Sequence, residues 1–174
     1  MKKELVRVYD KEQNMFSEYI DRRLLPIKGF YFHLVNIWII IEKQKKILIQ
    51  KRSKNKSLFP NLYECVAGAV TLDETILQAA IREVKEELDI DLQPHQLNKI
   101  LFNVDNKICY FMTTYFVKLD QLDLSKINFN NNEIDEIKLV DFRKFKEMLK
   151  SNLFTYDIKK RFKKLKPFFK TYLK

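Results

Sequence analysis

The amino-acid sequence predicts an α+β domain in which mostly antiparallel strands accompany one central helix. Three observations support this class. Short apolar runs alternate with polar turns along most of the chain, one segment near the middle has helical apolar spacing, and two amphipathic segments follow towards the C-terminus. The 174 residues can bury one sizeable core, and neither repeats nor a low-complexity linker divide them.

Strands are predicted on both sides of the central helix. The segment ELVRVYDKEQNMFSEYIDR is typical of a β-hairpin that turns at DKEQN, and FHLVNIWIIIEKQKKILIQKRS predicts a second hairpin around EKQKK. The stretch KNKSLFPNL predicts a loop because it contains Pro60, and YECVAGAV predicts one short strand that ends at Gly68. Further on, HQLNKILFNVDNKICYFMTTYFVKL predicts a hairpin that turns at Asp105–Asn106, and NEIDEIKLVDF predicts the last strand.

The central helix is predicted from the segment LDETILQAAIREVKEELDI. Its apolar residues recur every three or four positions and predict a buried stripe of Leu77, Ala80, Ile81, Val84 and Leu88. Asp73 or Thr75 is suited to cap the start of this helix.

Two more helices are predicted at the C-terminal end. Asp141 is placed to cap FRKFKEMLKS. The tail has an amphipathic pattern with apolar residues at Ile158, Phe162, Leu165, Phe168 and Phe169. Pro167 predicts an interruption of this last helix, because proline has no N–H to donate. We therefore divide the chain into a main domain, residues 1–156, and a basic amphipathic C-terminal helix, residues 157–174.

The composition is typical of a basic globular protein. Lysine and arginine total 33 against 23 acidic residues, which gives a formal net charge of +10. This charge favours anionic partners, or it reflects a lysine-rich bias that serves only solubility, and both interpretations stay open. The longest apolar run, Ile37–Ile41, is too short to span a bilayer, and the N-terminus has no signal-peptide pattern, so we expect a cytoplasmic location. Two cysteines are expected to be reduced thiols.

Three acidic residues crowd the central helix of this basic chain. Read as helix, Glu83, Glu86 and Glu87 fall on one stripe, where like charges repel each other. Either solvent and nearby lysines weaken this repulsion, or a cation binds there. Clustered carboxylates suit hard cations such as Mg²⁺ or Mn²⁺, which also accept phosphate oxygens. Glycine is scarce, with only Gly29 and Gly68 in the chain, and Gly68 lies just upstream of the acids.

The spacing of these residues carries a family resemblance. The segment GAVTLDETILQAAIREVKEELDI places Gly68, Glu74, Arg82-Glu83 and Glu86-Glu87 at the intervals of the Nudix box, G-x5-E-x7-R-E-U-x-E-E-x-G-U. The one departure is Asp89, which stands where the motif has its second glycine. Asp tolerates the left-handed conformation needed there better than most residues. The box covers residues 68–90, and a weaker likeness to the branch related to isopentenyl diphosphate isomerase covers roughly residues 4–149.

The resemblance implies a fold and a set of site residues. The Nudix fold is an α/β/α sandwich with a mixed, largely antiparallel sheet and a central catalytic helix. By the motif, Glu83, Glu86 and Glu87 match the metal ligands, helped by the carbonyl of Gly68, and Arg82 matches the residue that orients them. The metal expected is Mg²⁺ or Mn²⁺. Glu74 matches a structural position.

Residues outside the box are predicted more weakly. Glu133 and Glu136 match a region that supplies a further metal ligand or general base in many Nudix hydrolases, and as an alternative they are surface acids. Arg52 and Lys56 match the basic pair that holds the diphosphate in the isomerase relatives, with a solvated basic loop as the alternative. Tyr63 is a candidate for stacking on a base.

The predicted function is Mg²⁺-dependent hydrolysis of a diphosphate linkage in a nucleoside diphosphate derivative or similar small metabolite, with Glu83, Glu86, Glu133 or Glu136 activating water. One alternative is an isopentenyl diphosphate isomerase, although Ala67 and Ala69 replace the cysteine and histidine that flank the box glycine in that family. Another is a nucleotide sensor without catalysis. We expect a small diphosphate or nucleotide as partner and no membrane; nucleic acid and a homodimer are left open.

Overall fold

The computed structural model describes residues 4–173. Its strands are β1 Leu5–Tyr9, β2 Met15–Asp21, β3 Phe32–Ile41, β4 Lys46–Arg52, β5 Tyr63–Glu64, β6 Val66–Ala69, β7 Leu97–Asp105, β8 Tyr110–Leu119 and β9 Ile134–Val140. The helices are α1 Ile76–Leu88, α2 Phe142–Lys150 and α3 Tyr156–Tyr172. The predicted α+β class is confirmed.

The strands form a small hairpin and one mixed seven-stranded sheet. β1 and β2 pair with each other, as predicted. In the large sheet, β3 and β8 run parallel over their whole length, from Phe32↔Tyr110 to Ile41↔Leu119. The other pairs are antiparallel, including the predicted β7–β8 hairpin, whose first strand ends at Asp105 as expected.

The second hairpin is much shorter than predicted. β3 and β4 are paired only at Ile40↔Ile47 and Ile41↔Lys46. Beyond that point the two strands diverge, since β4 pairs with β9 while the other half of β3 pairs with β6. The stretch YECVAGAV is correspondingly two strands rather than one: β5 pairs with β4, and β6 pairs with β3. Gly68, in β6, therefore lies where β3 and β4 have separated from each other.

The helices cover the two faces of the sheet and bury a separate apolar cluster on each side. Alternate side chains of β3 point to opposite faces, so Val35 and Ile37 pack on the α1 side while Trp38 packs on the other side. The α1 cluster includes Val84 and Leu88 from the predicted stripe. The second cluster brings together aromatic residues of the sheet, α2 and α3: Trp38, Phe116, Phe145 and Phe169.

The last helix is continuous, so the predicted interruption at Pro167 is wrong. α3 runs from Tyr156 to Tyr172 with Pro167 inside it. Pro167 and Lys163, the residue one turn earlier, are both exposed, so water can solvate the carbonyl that loses its donor. Leu165 and Phe169 are fully buried on the opposite side and keep the helix on the sheet. In the described residues, no helix is long and apolar enough to cross a membrane.

Candidate active site

Capping residues at both ends of α1 determine where the helix begins and ends, and so they determine the positions of its glutamates. Thr75 is the N-cap, since its side chain accepts a hydrogen bond from the Gln78 backbone N–H at 3.2 Å, and the Gln78 side chain completes a capping box. Asp73, the alternative cap, does not take this position. At the other end Asp89 adopts the left-handed conformation with φ of 55°. The replacement of glycine by aspartate is therefore accommodated without changing the end of the helix.

A polar cleft of about 570 Å³ opens beside α1. Its acidic lining residues are Glu4, Asp73, Glu83, Glu86, Glu87 and Glu133, and its basic ones are Arg22, Arg52, Lys56 and Arg82. The β1–β2 hairpin and the turn after it contribute Glu4, Leu5 and Arg22. The structure thus brings together most of the predicted site residues, which come from three separate parts of the chain.

Arg82 forms hydrogen bonds with several acids of the cluster. Its Nη1 donates to Glu83 Oε1 at 2.9 Å and to Glu86 Oε2 at 2.8 Å. Nε and Nη2 bind the Glu74 carboxylate at 2.9 and 2.8 Å, and Nη2 also reaches the carbonyl oxygen of Ala69 at 2.9 Å. Burial tends to raise the pKa of Glu74, but hydrogen bonds from Arg82 and Thr71 outweigh it and lower that pKa. Glu74 is therefore an ionised anchor for the arginine.

Glu83 is held directly against Gly68. A Cβ atom on Gly68 would lie 1.7 Å from Glu83 Oε1, so only glycine leaves room for this carboxylate. Glu83 is 8% exposed, and its burial raises its pKa to about 7 despite the neighbouring Arg82. The close contact with Glu83 thus explains why position 68 is a glycine.

Glu87 is equally buried on the next turn of the helix. The side-chain amide of Gln50, on β4, donates to Glu87 Oε2 at 2.6 Å. Burial, followed by the charge of Glu83, raises the pKa of Glu87 well above its usual range. Glu86 differs, because its side chain remains 56% exposed at the edge of the cleft. Two neighbouring buried acids therefore favour protonation unless a further positive charge joins them.

Basic residues also line the cleft. Arg52 Nη1 pairs with Glu64 Oε1 at 2.6 Å, and Lys56 pairs with Glu133. Arg22 Nη1 pairs with Glu4 at 3.0 Å. Each of these cations is paired with an acid, so an anionic group that binds them in the cleft would have to compete with Glu4, Glu64 and Glu133.

Two predicted site residues lie elsewhere. Tyr63 packs in the α2–α3 cluster, and its hydroxyl donates to Glu136 Oε2 at 2.6 Å. Glu136 also pairs with Lys138 at 2.8 Å. Ile137, the next residue of β9, packs on the α1 side, so Glu136 points to the other face of the sheet. Glu133, before β9 begins, is the member of the acidic pair that lines the cleft.

The residues at or beside the cleft that were not predicted from the sequence include Gln50, Asn130 and Arg22. Gln50 directly follows the apolar run of β4 and is buried, and a polar residue in a buried strand is a signal that was available. Asn130 lines the cleft, and its backbone N–H donates to the Glu87 carbonyl at 3.0 Å. Arg22 carried no local signal, because only the tertiary arrangement of the first hairpin places it there.

The carboxylates are arranged around Arg82 and Gln50 rather than around a preassembled cation cage. Within residues 4–173 no three His, Cys, Asp or Glu side chains converge closely enough to hold a metal. The donor set nevertheless fits a hard divalent cation, since Glu83, Glu86 and Glu87 offer only oxygen atoms and, among the described residues, the buried Glu87 is bound by the neutral Gln50 amide and by no cation.

Comparison with known proteins identifies relatives for three quarters of the chain. The family model described as the NUDIX domain matches residues 32–162. A Nudix hydrolase of Listeria innocua is 32% identical over 128 residues, which span 70% of this chain and 71% of that protein. A prenyl-diphosphate phosphatase of Methanosarcina mazei is 28% identical over 123 residues, 71% of this chain and 72% of the relative.

Other relatives are matched over a smaller part of their length. An uncharacterized Nudix hydrolase of Clostridium acetobutylicum is 28% identical over 63% of this chain, and the match spans 58% of that protein. Among solved structures, a Deinococcus radiodurans protein superposes with a TM-score of 0.71 at 23% identity, covering 90% of this chain and 96% of its own. At that identity the likeness shows the fold.

Proposed function

Because the chain belongs to the NUDIX domain family, we propose that it hydrolyses a diphosphate linkage in a nucleoside diphosphate derivative or similar small metabolite, with Mg²⁺ or Mn²⁺ as cofactor. The observation that carries this proposal is the cleft itself. Acids of α1 line the cleft together with the cations Arg22, Arg52 and Lys56. A diphosphate needs both: basic side chains for its oxygens and carboxylates for the metal that accompanies it.

The cofactor would be held by Glu83, Glu86 and Glu87, with the Gly68 carbonyl beside them. When bound, such a cation polarises phosphate oxygens and neutralises the charge that develops during hydrolysis. A solved structure that matches this chain over 83% of its length, with a TM-score of 0.62 and 24% identity, is a Francisella tularensis NMN adenylyltransferase/ADP-ribose pyrophosphatase with AMP and a manganese ion. That structure, together with the buried Glu87, which forms no ion pair in residues 4–173, supports a divalent cation here.

The remaining roles follow from position. Arg82 keeps Glu83 and Glu86 side by side and so acts as a positioning residue. Arg52 and Lys56 would bind the phosphate oxygens once these displace Glu64 and Glu133 from the two cations. Glu133, released from Lys56, would then be free to accept a proton from the attacking water. Glu136 is a poor candidate for this step because it lies on the other face of the sheet.

Two alternatives are addressed by particular observations. The similarity to a prenyl-diphosphate phosphatase favours prenyl diphosphates as a second substrate class for the same cleft. Isomerisation of isopentenyl diphosphate is disfavoured, since Cys65 lies in the α2–α3 cluster and does not line the cleft. Burial raises the pKa of the Cys65 thiol strongly, which makes it a poor proton donor or acceptor there.

The test is a hydrolysis panel of nucleoside diphosphate derivatives, nucleoside triphosphates and prenyl diphosphates with Mg²⁺, Mn²⁺ or EDTA. We expect turnover that EDTA abolishes, and a loss of most of the rate in Glu87→Gln. Glu147→Gln, the same change at an exposed position of α2, is the matched control and should keep the wild-type rate. Undiminished turnover in EDTA or in Glu87→Gln would contradict the proposal, as would inactivity on the whole panel.

A further inference from the structure

Gln50 is a buried polar residue in an apolar strand, and it faces the acids of α1. Side chains of β4 alternate between the two faces of the sheet, since Leu48 packs in the α1 cluster and Ile49 in the α2–α3 cluster. Gln50 therefore lies on the α1 side, where it is 1% exposed. Its backbone is paired with β5 on one side and with β9 on the other. The sheet thus holds this side chain in place beside Glu87.

The side-chain amide of Gln50 is used on one side only. Its Nε2 donates to Glu87 Oε2 at 2.6 Å, whereas its Oε1 is buried and has no hydrogen-bond partner in the part of the chain that the structure describes. A buried acceptor without a partner is costly. An apolar side chain of similar size would avoid that cost, so the contact with Glu87 is what the amide contributes at this position.

The three acids of α1 differ in the partners that orient them. Glu83 and Glu86 both accept hydrogen bonds from Nη1 of the cation Arg82. Glu87 is 7% exposed and forms no ion pair within residues 4–173. The charges that act most strongly on it belong to other acids. Gln50 therefore orients the Glu87 carboxylate without neutralising it.

The next residue of β4 on the same face is a cation that is bound elsewhere. Arg52 follows Gln50 by two positions, so both side chains lie on the α1 side of the strand. Nη1 of Arg52 pairs with Glu64 Oε1 at 2.6 Å, and its Nε donates to the Leu58 carbonyl at 2.9 Å. The guanidinium is thus engaged by β5 and by the loop before it rather than by Glu87.

We propose that Gln50 is a positioning residue for the divalent cation: its amide fixes the Glu87 carboxylate and, because it is neutral, leaves the charge of that carboxylate to the metal. This inference rests on the proposed function, which supplies the cation. A lysine or arginine in this place would also orient Glu87, but its charge would compete with the metal. An apolar residue would leave the charge available but would let the carboxylate turn. A neutral donor meets both requirements.

Manganese binding tests the inference without relying on hydrolysis, since electron paramagnetic resonance measures the free Mn²⁺ in a titration. Gln50→Met keeps the size of the side chain but removes the donor, so we expect it to bind Mn²⁺ at least about tenfold more weakly than wild type. Gln50→Lys brings an ammonium group to Glu87 and should bind Mn²⁺ more weakly still. Gln121→Met and Gln121→Lys, the same changes at an exposed position after β8, are the matched controls and should keep the wild-type affinity.

The stability of the metal-free protein separates positioning from packing. In urea unfolding with EDTA, Gln50→Met should differ little from wild type, because the unpartnered acceptor is lost together with the hydrogen bond. This variant also carries the test if Gln50→Lys fails to fold.

Three outcomes would overturn the inference: wild-type Mn²⁺ affinity in Gln50→Met, a loss of affinity matched by an equal loss of stability, or a wild-type protein that does not bind Mn²⁺. Unchanged affinity in a protein that hydrolyses a diphosphate would leave the proposed function standing. Weaker Mn²⁺ binding by Gln50→Met, in a protein whose wild type hydrolyses no diphosphate, would instead contradict only the proposed function.

Discussion

Replacing Glu83 by glutamine is expected to stabilise the metal-free protein at alkaline pH while it abolishes hydrolysis. Glu83 is buried against Gly68, and burial raises its pKa from an ordinary 4.5 to about 7. The folded protein therefore holds this proton more tightly than the unfolded chain does. The contribution of Glu83 to the free energy of unfolding is largest below pH 4.5 and falls as the pH rises from about 4.5 to about 7.

The size of this effect follows from the change in pKa. At about 1.4 kcal/mol for each tenfold change in proton affinity, the charged carboxylate destabilises the fold by about 3 kcal/mol above pH 7 relative to its protonated form. Glutamine resembles the protonated acid in shape, and its amide oxygen can still accept the hydrogen bond from Arg82. The variant should therefore avoid most of this loss and differ little from wild type at pH 4.5.

Urea unfolding in EDTA at pH 4.5 and pH 8.5 measures the effect. The free energy of unfolding of Glu83→Gln should exceed that of wild type by about 3 kcal/mol at the higher pH and by much less at the lower one. Glu147→Gln, at an exposed site, should follow wild type at both. If Glu83→Gln were less stable than wild type at pH 8.5, or if the difference did not change with pH, the assignment of a raised pKa to this carboxylate would be refuted.

Other predictions concern single contacts. In Gly68→Ala the new methyl group would displace the Glu83 carboxylate, so we expect the Mg²⁺-dependent rate to fall by at least tenfold; a wild-type rate would show that Glu83 can move without consequence. Glu133→Gln should slow hydrolysis, whereas Glu136→Gln should leave kcat within about twofold, and equal losses would contradict their placement on opposite faces. Phe169→Ala should lower the free energy of unfolding by about 3–5 kcal/mol in urea titrations, because it empties a fully buried site; a loss below 1 kcal/mol would mean that α3 packs only loosely.

The parts of the fold that could be predicted from the sequence depend on local contacts. The cap at Thr75, one of two predicted candidates, the buried stripe of α1 and the left-handed Asp89 involve residues within a few positions of each other, and the structure confirms them. The predicted length of the β3–β4 hairpin was wrong because strand pairing depends on distant partners, here β9 and β6. The prediction that Pro167 interrupts the last helix was wrong, because the packing of α3 on apolar residues of other elements outweighs the cost of the missing hydrogen bond.

The candidate site shows the same difference between residues placed by local contacts and residues placed by long-range pairing. Arg82, Glu83, Glu86 and Glu87 lie within six positions of one helix, so helical periodicity alone places them together. Which face of the sheet Glu133 and Glu136 occupy depends on where β9 begins and how it pairs, and the motif carries no information on that point.

The position of the basic residues resolves the contrast between a chain of net charge +10 and its acidic helix. The carboxylates of α1 are crowded where burial disfavours their charge, and cations from the first hairpin and from β4 and its loop line the cleft without forming an ion pair with Glu87. Such an arrangement stores unfavourable electrostatic energy that a divalent cation with an anionic ligand would relieve. The basic residues Arg22, Arg52 and Lys56 come from two other parts of the chain and reach the cleft only through the tertiary fold. One short motif therefore supplies the carboxylates, whereas the residues that surround them depend on long-range packing.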